Sequence, residues 1–193
     1  GTENTIPGSL RNAVLWFICA ASAMRYYDYK KPVSMLVHTS QKQTDHKALA
    51  EAIKRWINNN KNMISDKCRD LYHKEKKALT RRTLRQVYPD YEHSDEEIWD
   101  YPEYEDIEYY VEELIDRVSS IMMDDEGELC YNRGIHLCID NCSNNGLTED
   151  GMHMRLAYPD ERGENKPDFA TAFIVVGGNT LSRGLTLEGL VST

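Results

Sequence analysis

The residues best suited to chemistry lie close together near the end of the sequence. The apolar run Ala172-Phe173-Ile174-Val175-Val176 leads into Gly177-Gly178-Asn179-Thr180-Leu181-Ser182-Arg183-Gly184-Leu185-Thr186-Leu187-Glu188. A β-branched apolar run reads as a strand buried on both faces. Two glycines then allow a sharp turn or a close backbone approach. Asn179, Thr180, Ser182, Arg183 and Thr186 can all hydrogen-bond, and an arginine beside a glycine suits an anionic partner such as phosphate. Open α/β sheets bind ligands at strand ends of this kind. The plainer alternative is a strand-to-helix turn with a capping serine. A second stretch of the same type is Val33-Ser34-Met35-Leu36-Val37-His38, which runs out into the hydroxyls of Thr39 and Ser40.

Other groupings carry weaker chemistry. Pro159-Asp160 followed by Glu164-Asn165-Lys166 has the residue types of a nuclease metal site. The gap is too short to cross between strands, so a surface loop is expected. Cys130, His136, Cys138 and Cys142 do not repeat the spacing of a zinc site. His136, Cys138 and Asp140 alternate on one strand face, where buried thiols are ordinary. Asp124-Asp125-Glu126 follows a helical stripe and reads as a solvated loop. The basic stretch 54–85 could track a phosphate backbone, but the seventeen carboxylates between Asp90 and Glu128 can neutralise it. His38 reads as a packed strand-end histidine.

The elements that must hold these residues follow from periodicity. A mostly apolar helix is expected over about 10–27 with Ser9 as its N-cap, then the Val33 strand. An amphipathic helix follows through Ala48, Ile53, Trp56 and Ile57, stopped by Asn58-Asn59-Asn60. Residues 61–125 read as a helical insertion. Its apolar stripe runs from Ile107 through Leu114 and Val118 to Met122. A strand over 134–140, a short strand over 152–158 and the Phe173 strand complete the pattern. Helix and strand alternate, which predicts a mostly parallel sheet flanked by helices.

The chain has 193 residues and a formal net charge of −9, so any nucleic-acid contact must be local. Five scattered cysteines and no leader segment predict reduced thiols in a cytoplasm. No apolar run reaches the ~20 residues of a membrane span. The absence of an initiator methionine suggests a piece of a longer protein.

Two of these stretches resemble the second RecA-like lobe of superfamily-two helicases. Val33 to Ser40 resembles that lobe's fourth motif, and Thr180-Leu181-Ser182-Arg183-Gly184-Leu185-Thr186 its fifth, of the form T-x-x-x-R-G-x-D. The block from Gly177 to Leu190 is similar to the signature of the Z-one (Z1) domain, a bacterial domain attached to superfamily-two helicase modules and often labelled an endonuclease. Ile6-Pro7-Gly8-Ser9-Leu10 also fits that family. The resemblance implies a three-layer α/β/α, RecA-like and P-loop NTPase-like fold over residues 1–193, with the helical insertion at about 61–125. It implies a DNA-dependent ATPase working in restriction or DNA-modification defence. ATP and Mg²⁺ would be held in the full-length protein, whose first RecA-like lobe would be this lobe's partner. Ser182, Arg183, Gly184, Thr186 and Glu188 would face the nucleotide and the other lobe. Thr39, Ser40, Gly178, Asn179 and Thr180 would contact the DNA backbone, which positions a strand without reading it. Thr186 stands where many members carry the ribose-binding Asp, which puts that contact in doubt. No G-x-x-x-x-G-K-[ST] phosphate loop occurs, so no catalytic residue is expected within these residues and ATP hydrolysis needs more chain. The alternatives are a metal-dependent endonuclease and a non-catalytic module whose insertion binds a protein.

Overall fold

The structure, a computed structural model, describes residues 6–39, 43–140, 152–178 and 187–193. Its centre is a five-stranded sheet in the order β2-β5-β6-β1-β7. The strands are β1 (Val33–His38), β2 (Val118–Ser119), β5 (Ile135–Ile139), β6 (Ala172–Gly177) and β7 (Leu190–Ser192). Every pairing is parallel. Two further short strands, β3 (Met122–Met123) and β4 (Leu129–Cys130), form an antiparallel hairpin. β5 and β6 are buried at every residue, as continuous apolar runs in a parallel sheet should be.

Helices cover one face. These are α1 (Gly8–Tyr26), α2 (Gln43–Asn59), α3 (Lys61–Ala78) and α5 (Tyr104–Asp116); a short α4 (Arg81–Val87) lies between the last two. Val33, Met35, Val37, Ile135, Leu137, Ala172, Ile174 and Val176 point into this helical layer and share its core. The opposite face carries a smaller core. Phe173, Val175 and Cys138 pack there with Ile121, Leu156, Tyr158 and Leu187. Among the described residues no helix covers this second face, and the described segments there, 152–158 and Leu187, are irregular.

The insertion expected over 61–125 also needs correction. Ile64, Cys68, Tyr72, Ile107, Val111 and Leu114 are fully buried in the main core, so α3 and α5 are structural helices of the domain. The predicted stripe through Met122 breaks at Arg117, whose backbone is extended (φ −134, ψ 122). Val118 and Ser119 instead form the edge strand β2 beside β5. Only the excursion around α4 projects. No strand spans 152–158; His153 makes a single bridge to Ile121. α1 begins at Gly8 without a side-chain cap, so Ser9 lies inside the helix.

Arg25, near the C-terminal end of α1, ties the amino ends of the strands together. It is 5 % exposed. Its Nε donates to Ala170 O at 3.0 Å, just before β6. Its Nη1 donates to Arg133 O at 2.6 Å, just before β5, and to Glu113 Oε2 on α5 at 2.9 Å. The Phe169 ring lies under both the Arg25 and Arg133 guanidinium groups, at 5.2 and 4.5 Å. Burial pulls the Arg25 pKa down to about 10, opposed by the Glu113 charge, so the group stays ionised at neutral pH. Removing Arg25 leaves Glu113 only its longer 3.5 Å pair with Arg133 and takes the donor from the Ala170 and Arg133 carbonyls. Arg25→Met is therefore expected to lower unfolding free energy by about 3–5 kcal/mol in urea titrations; a loss under about 1 kcal/mol would refute the latch.

Candidate functional site

β1 and β6 lie side by side with Val33 opposite Ala172 and His38 opposite Gly177. Their carboxyl ends therefore emerge together. The Thr39 amide donates to Gly177 O at 3.0 Å, and the Asp140 amide at the end of β5 donates to Val176 O at 2.9 Å. Thr39, Gly178 and Asp140 thus stand on one sheet edge. Gly177 and Gly178 are buried, Thr39 and Asp140 are half-buried, and His38 is exposed. His38 was expected to pack; at the end of its strand it faces solvent instead.

At this edge the chain reverses its direction of travel across the sheet. From β1 the chain passes into α2 on the helical face and travels past β6 and β5 to reach β2. From β6 it passes to Leu187 on the opposite face and travels the other way to β7. Opposite travel on opposite faces keeps one crossover hand throughout. The two neighbouring strands are therefore followed by elements on opposite faces, α2 on one and Leu187 on the other. This is the topological switch point at which open α/β sheets bind ligands.

The sequence-predicted residues divide as follows. Thr39 and Gly178 are on this edge together. Ser40, Asn179, Thr180, Ser182, Arg183, Gly184 and Thr186 lie outside the described residues, as does Cys142. Glu188 is elsewhere. Its amide donates to Tyr158 Oη at 3.0 Å, and that hydroxyl shares a 2.8 Å hydrogen bond with Ser34 Oγ near the start of β1. The Ser34 amide donates to Gly189 O at 2.8 Å. Glu188 therefore sits at the amino edge, roughly 17 Å from Thr39 along β1. Gly189 holds φ +57 there, and a Cβ would fall 2.0 Å from Pro32 O, so the close approach of β7 requires glycine. The sequence reading grouped Glu188 with the residues that follow β6; β7, three residues too short to be read from pattern, holds it at the amino edge instead. Asp140 was read only as a strand-face residue; its place at the end of β5 was the signal available.

The residues of the nuclease-type candidate, Asp160, Glu164 and Lys166, lie on one exposed stretch. Asp160 through Lys166 form an exposed turn in which Asp160 Oδ1 accepts from the Arg162 amide at 2.9 Å. Among the described residues no three His, Cys, Asp or Glu side chains gather as a metal cluster. Positive groups of the basic stretch pair with the acidic one: Lys76 with Glu103 at 2.6 Å, Arg81 with Asp100 and Arg85 with Asp95 at 2.9 Å each, and Arg69 with Glu108.

A family model describing the Z1 domain matches residues 9–193. The chain belongs to the Z1 domain family. No curated protein and no solved structure matches it significantly. Within this Z1 domain no helix of the described residues is long and apolar enough to cross a membrane.

His136 lies near the amino end of β5, on the face opposite the helices. Its Nε2 accepts from the Asn132 amide at 3.1 Å, so Nδ1 carries the proton and donates to Ala172 O at 3.1 Å. Phe173 and Tyr131 enclose the ring. Burial drives its pKa down from 6.5 to about 4, opposed by the Ala172 bond. The native pKa lies below the unfolded one, so the unfolded chain binds the proton first as pH falls. The stability His136 contributes is complete above about pH 6.5 and is lost on the way down to about pH 4. Urea midpoints should fall across that window and fall less in His136→Gln; parallel profiles would show that this ring is not responsible.

Proposed function

We infer that this Z1 domain is the second motor lobe of a larger, cytoplasmic, DNA-dependent ATPase of the superfamily-two helicase type, acting in bacterial restriction or DNA-modification defence. The observation that carries the reading is the pairing of β1 with β6, which brings Thr39 and Gly178 together at one switch point of the sheet. Numbered by their order along the chain, the parallel strands run 2-3-4-1-5 across the sheet, an arrangement compatible with a RecA-like lobe.

The described donors fit a phosphate-bearing guest. Gly177 and Gly178 leave the edge free of side chains, so backbone amides can approach closely. The Thr39 hydroxyl donates to a phosphate oxygen without reading a base. Ser40, Asn179 and Thr180 extend this contact along the DNA backbone. Ser182, Arg183, Gly184 and Thr186 face the nucleotide and the first lobe. Arg183 supplies a charge that a neutral donor cannot. ATP with Mg²⁺ between the lobes supplies the phosphoryl-transfer chemistry, and the phosphate loop and metal ligands it requires belong to the first lobe. This chain's own residues hold and orient, and they link nucleic acid to nucleotide through one strand-end segment.

In the full-length protein, Arg183→Ala is expected to cut DNA-stimulated ATP turnover by about 100-fold, the order lost with one transition-state donor. Thr39→Val should weaken DNA binding by roughly fivefold, equivalent to about 1 kcal/mol. Far-UV dichroism should be unchanged in both. Wild-type turnover and affinity in the two variants would defeat the assignment.

A further inference from the structure

The excursion between α3 and α5 is ordered but has no core of its own. Between Leu79 and Tyr101 no residue is buried. Polar contacts hold it instead. Arg85 binds Asp95 and the carbonyls of Tyr91 and His93, and Arg81 binds Asp100 and the Ile98 carbonyl. The Trp99 ring stacks on Tyr27 at 4.6 Å. Between α4 and the Ile98–Glu103 strip lies a groove of about 920 Å³. Leu79, Val87, Tyr88 and Trp99 line it and are 42, 61, 59 and 54 % exposed. Exposed apolar side chains gathered in one groove, and framed by ion pairs, mark an interaction surface. Tryptophan and tyrosine are the side chains that most often anchor one.

Charge selects the occupant. From Leu79 to Glu103 the chain carries seven carboxylates against three arginines and no lysine. Arg81 and Arg85, with Lys76 before them, are engaged by Asp100, Asp95 and Glu103. The excess is negative, which repels nucleic acid and anionic bilayers. It also disfavours a second copy of a chain whose net charge is −9. We propose that this groove docks a basic amphipathic helix of a partner protein, with apolar anchors spaced i, i+3, i+4 and i+7 seated between α4 and Trp99 and lysines or arginines facing the acidic rim. The site is separate from the carboxyl sheet edge and does not depend on the function assigned to it.

The test uses the full-length protein and three synthetic 18-residue helical peptides. One carries Leu and Trp at the anchor spacing with Lys elsewhere; in the second the Lys are Glu; in the third the anchors are Ser and Gln. Fluorescence anisotropy is expected to show micromolar binding of the first and at least tenfold weaker binding of the others. Val87→Ser, at a mostly exposed position, should weaken the first peptide about tenfold and leave DNA-stimulated ATP turnover unchanged. Asp90→Asn with Glu96→Gln should weaken it severalfold and flatten its salt dependence. Equal binding of the Glu peptide, or no effect of Val87→Ser, overturns the proposal. So does single-stranded DNA, anionic vesicle or self-association signal that Val87→Ser abolishes.

Discussion

The six-residue parallel pairing of β1 with β6 is the constraint on which the rest of this domain depends. It joins segments about 140 positions apart in the chain. Parallel strands cannot be joined by a tight turn, so everything between them must be folded into a return path. The helical layer and the small second core are that path. Because all five strands run the same way, the pairing also fixes which loops share an edge. Thr39, Gly178 and Asp140 are neighbours for that reason. A register slip of one residue would turn Val33, Met35 and Val37 away from the helices and expose the core.

The two sheet edges have different physical characters. The amino edge is fastened by side chains: Arg25 with Glu113, Tyr158 with Ser34, and the positive-φ Gly189 against Pro32. Gly134 belongs to the same edge, where a Cβ would fall 2.0 Å from Arg117 O. At the carboxyl edge the Thr39 and Asp140 amides join the strands by backbone hydrogen bonds, and the strand ends carry glycine and a small hydroxyl.

Much of this could be read from the residues. The apolar runs Val33–Val37 and Ala172–Val176 have the length and β-branching of doubly buried strands, and both formed. So did the amphipathic helix through Ile53 and Trp56. The errors share a cause. Ile107, Leu114, Val118 and Met122 satisfy a helical period beyond Asp116, but Val118-Ser119 had an exposed strand edge available beside Ile135, and tertiary pairing overrode local periodicity. β7 was missed because three residues carry no period. The acidic helix α5 read as peripheral from its charge. Its buried stripe of Ile107, Val111 and Leu114 shows that a strongly charged helix can still be core when the charges keep to one face. Thr39 and Gly178 were legible as candidates from their types; their adjacency depended on a strand order that no local pattern contains.

Net charge and local charge part company in this chain. A value of −9 argues against phosphate partners only if the carboxylates can act at the carboxyl edge. Distance and pairing limit that. The C-terminal end of α5, with Glu113 and Asp116, lies at the amino edge, because Arg117 O accepts the Ile135 amide that opens β5. The strand length that separates the two edges, roughly 17 Å, exceeds the ~8 Å Debye length at physiological salt. Other carboxylates are engaged by Lys76, Arg81, Arg85 and Arg69. The acidic surplus is therefore densest around the α4 groove, whereas at the described strand ends the carboxylate is that of Asp140 alone.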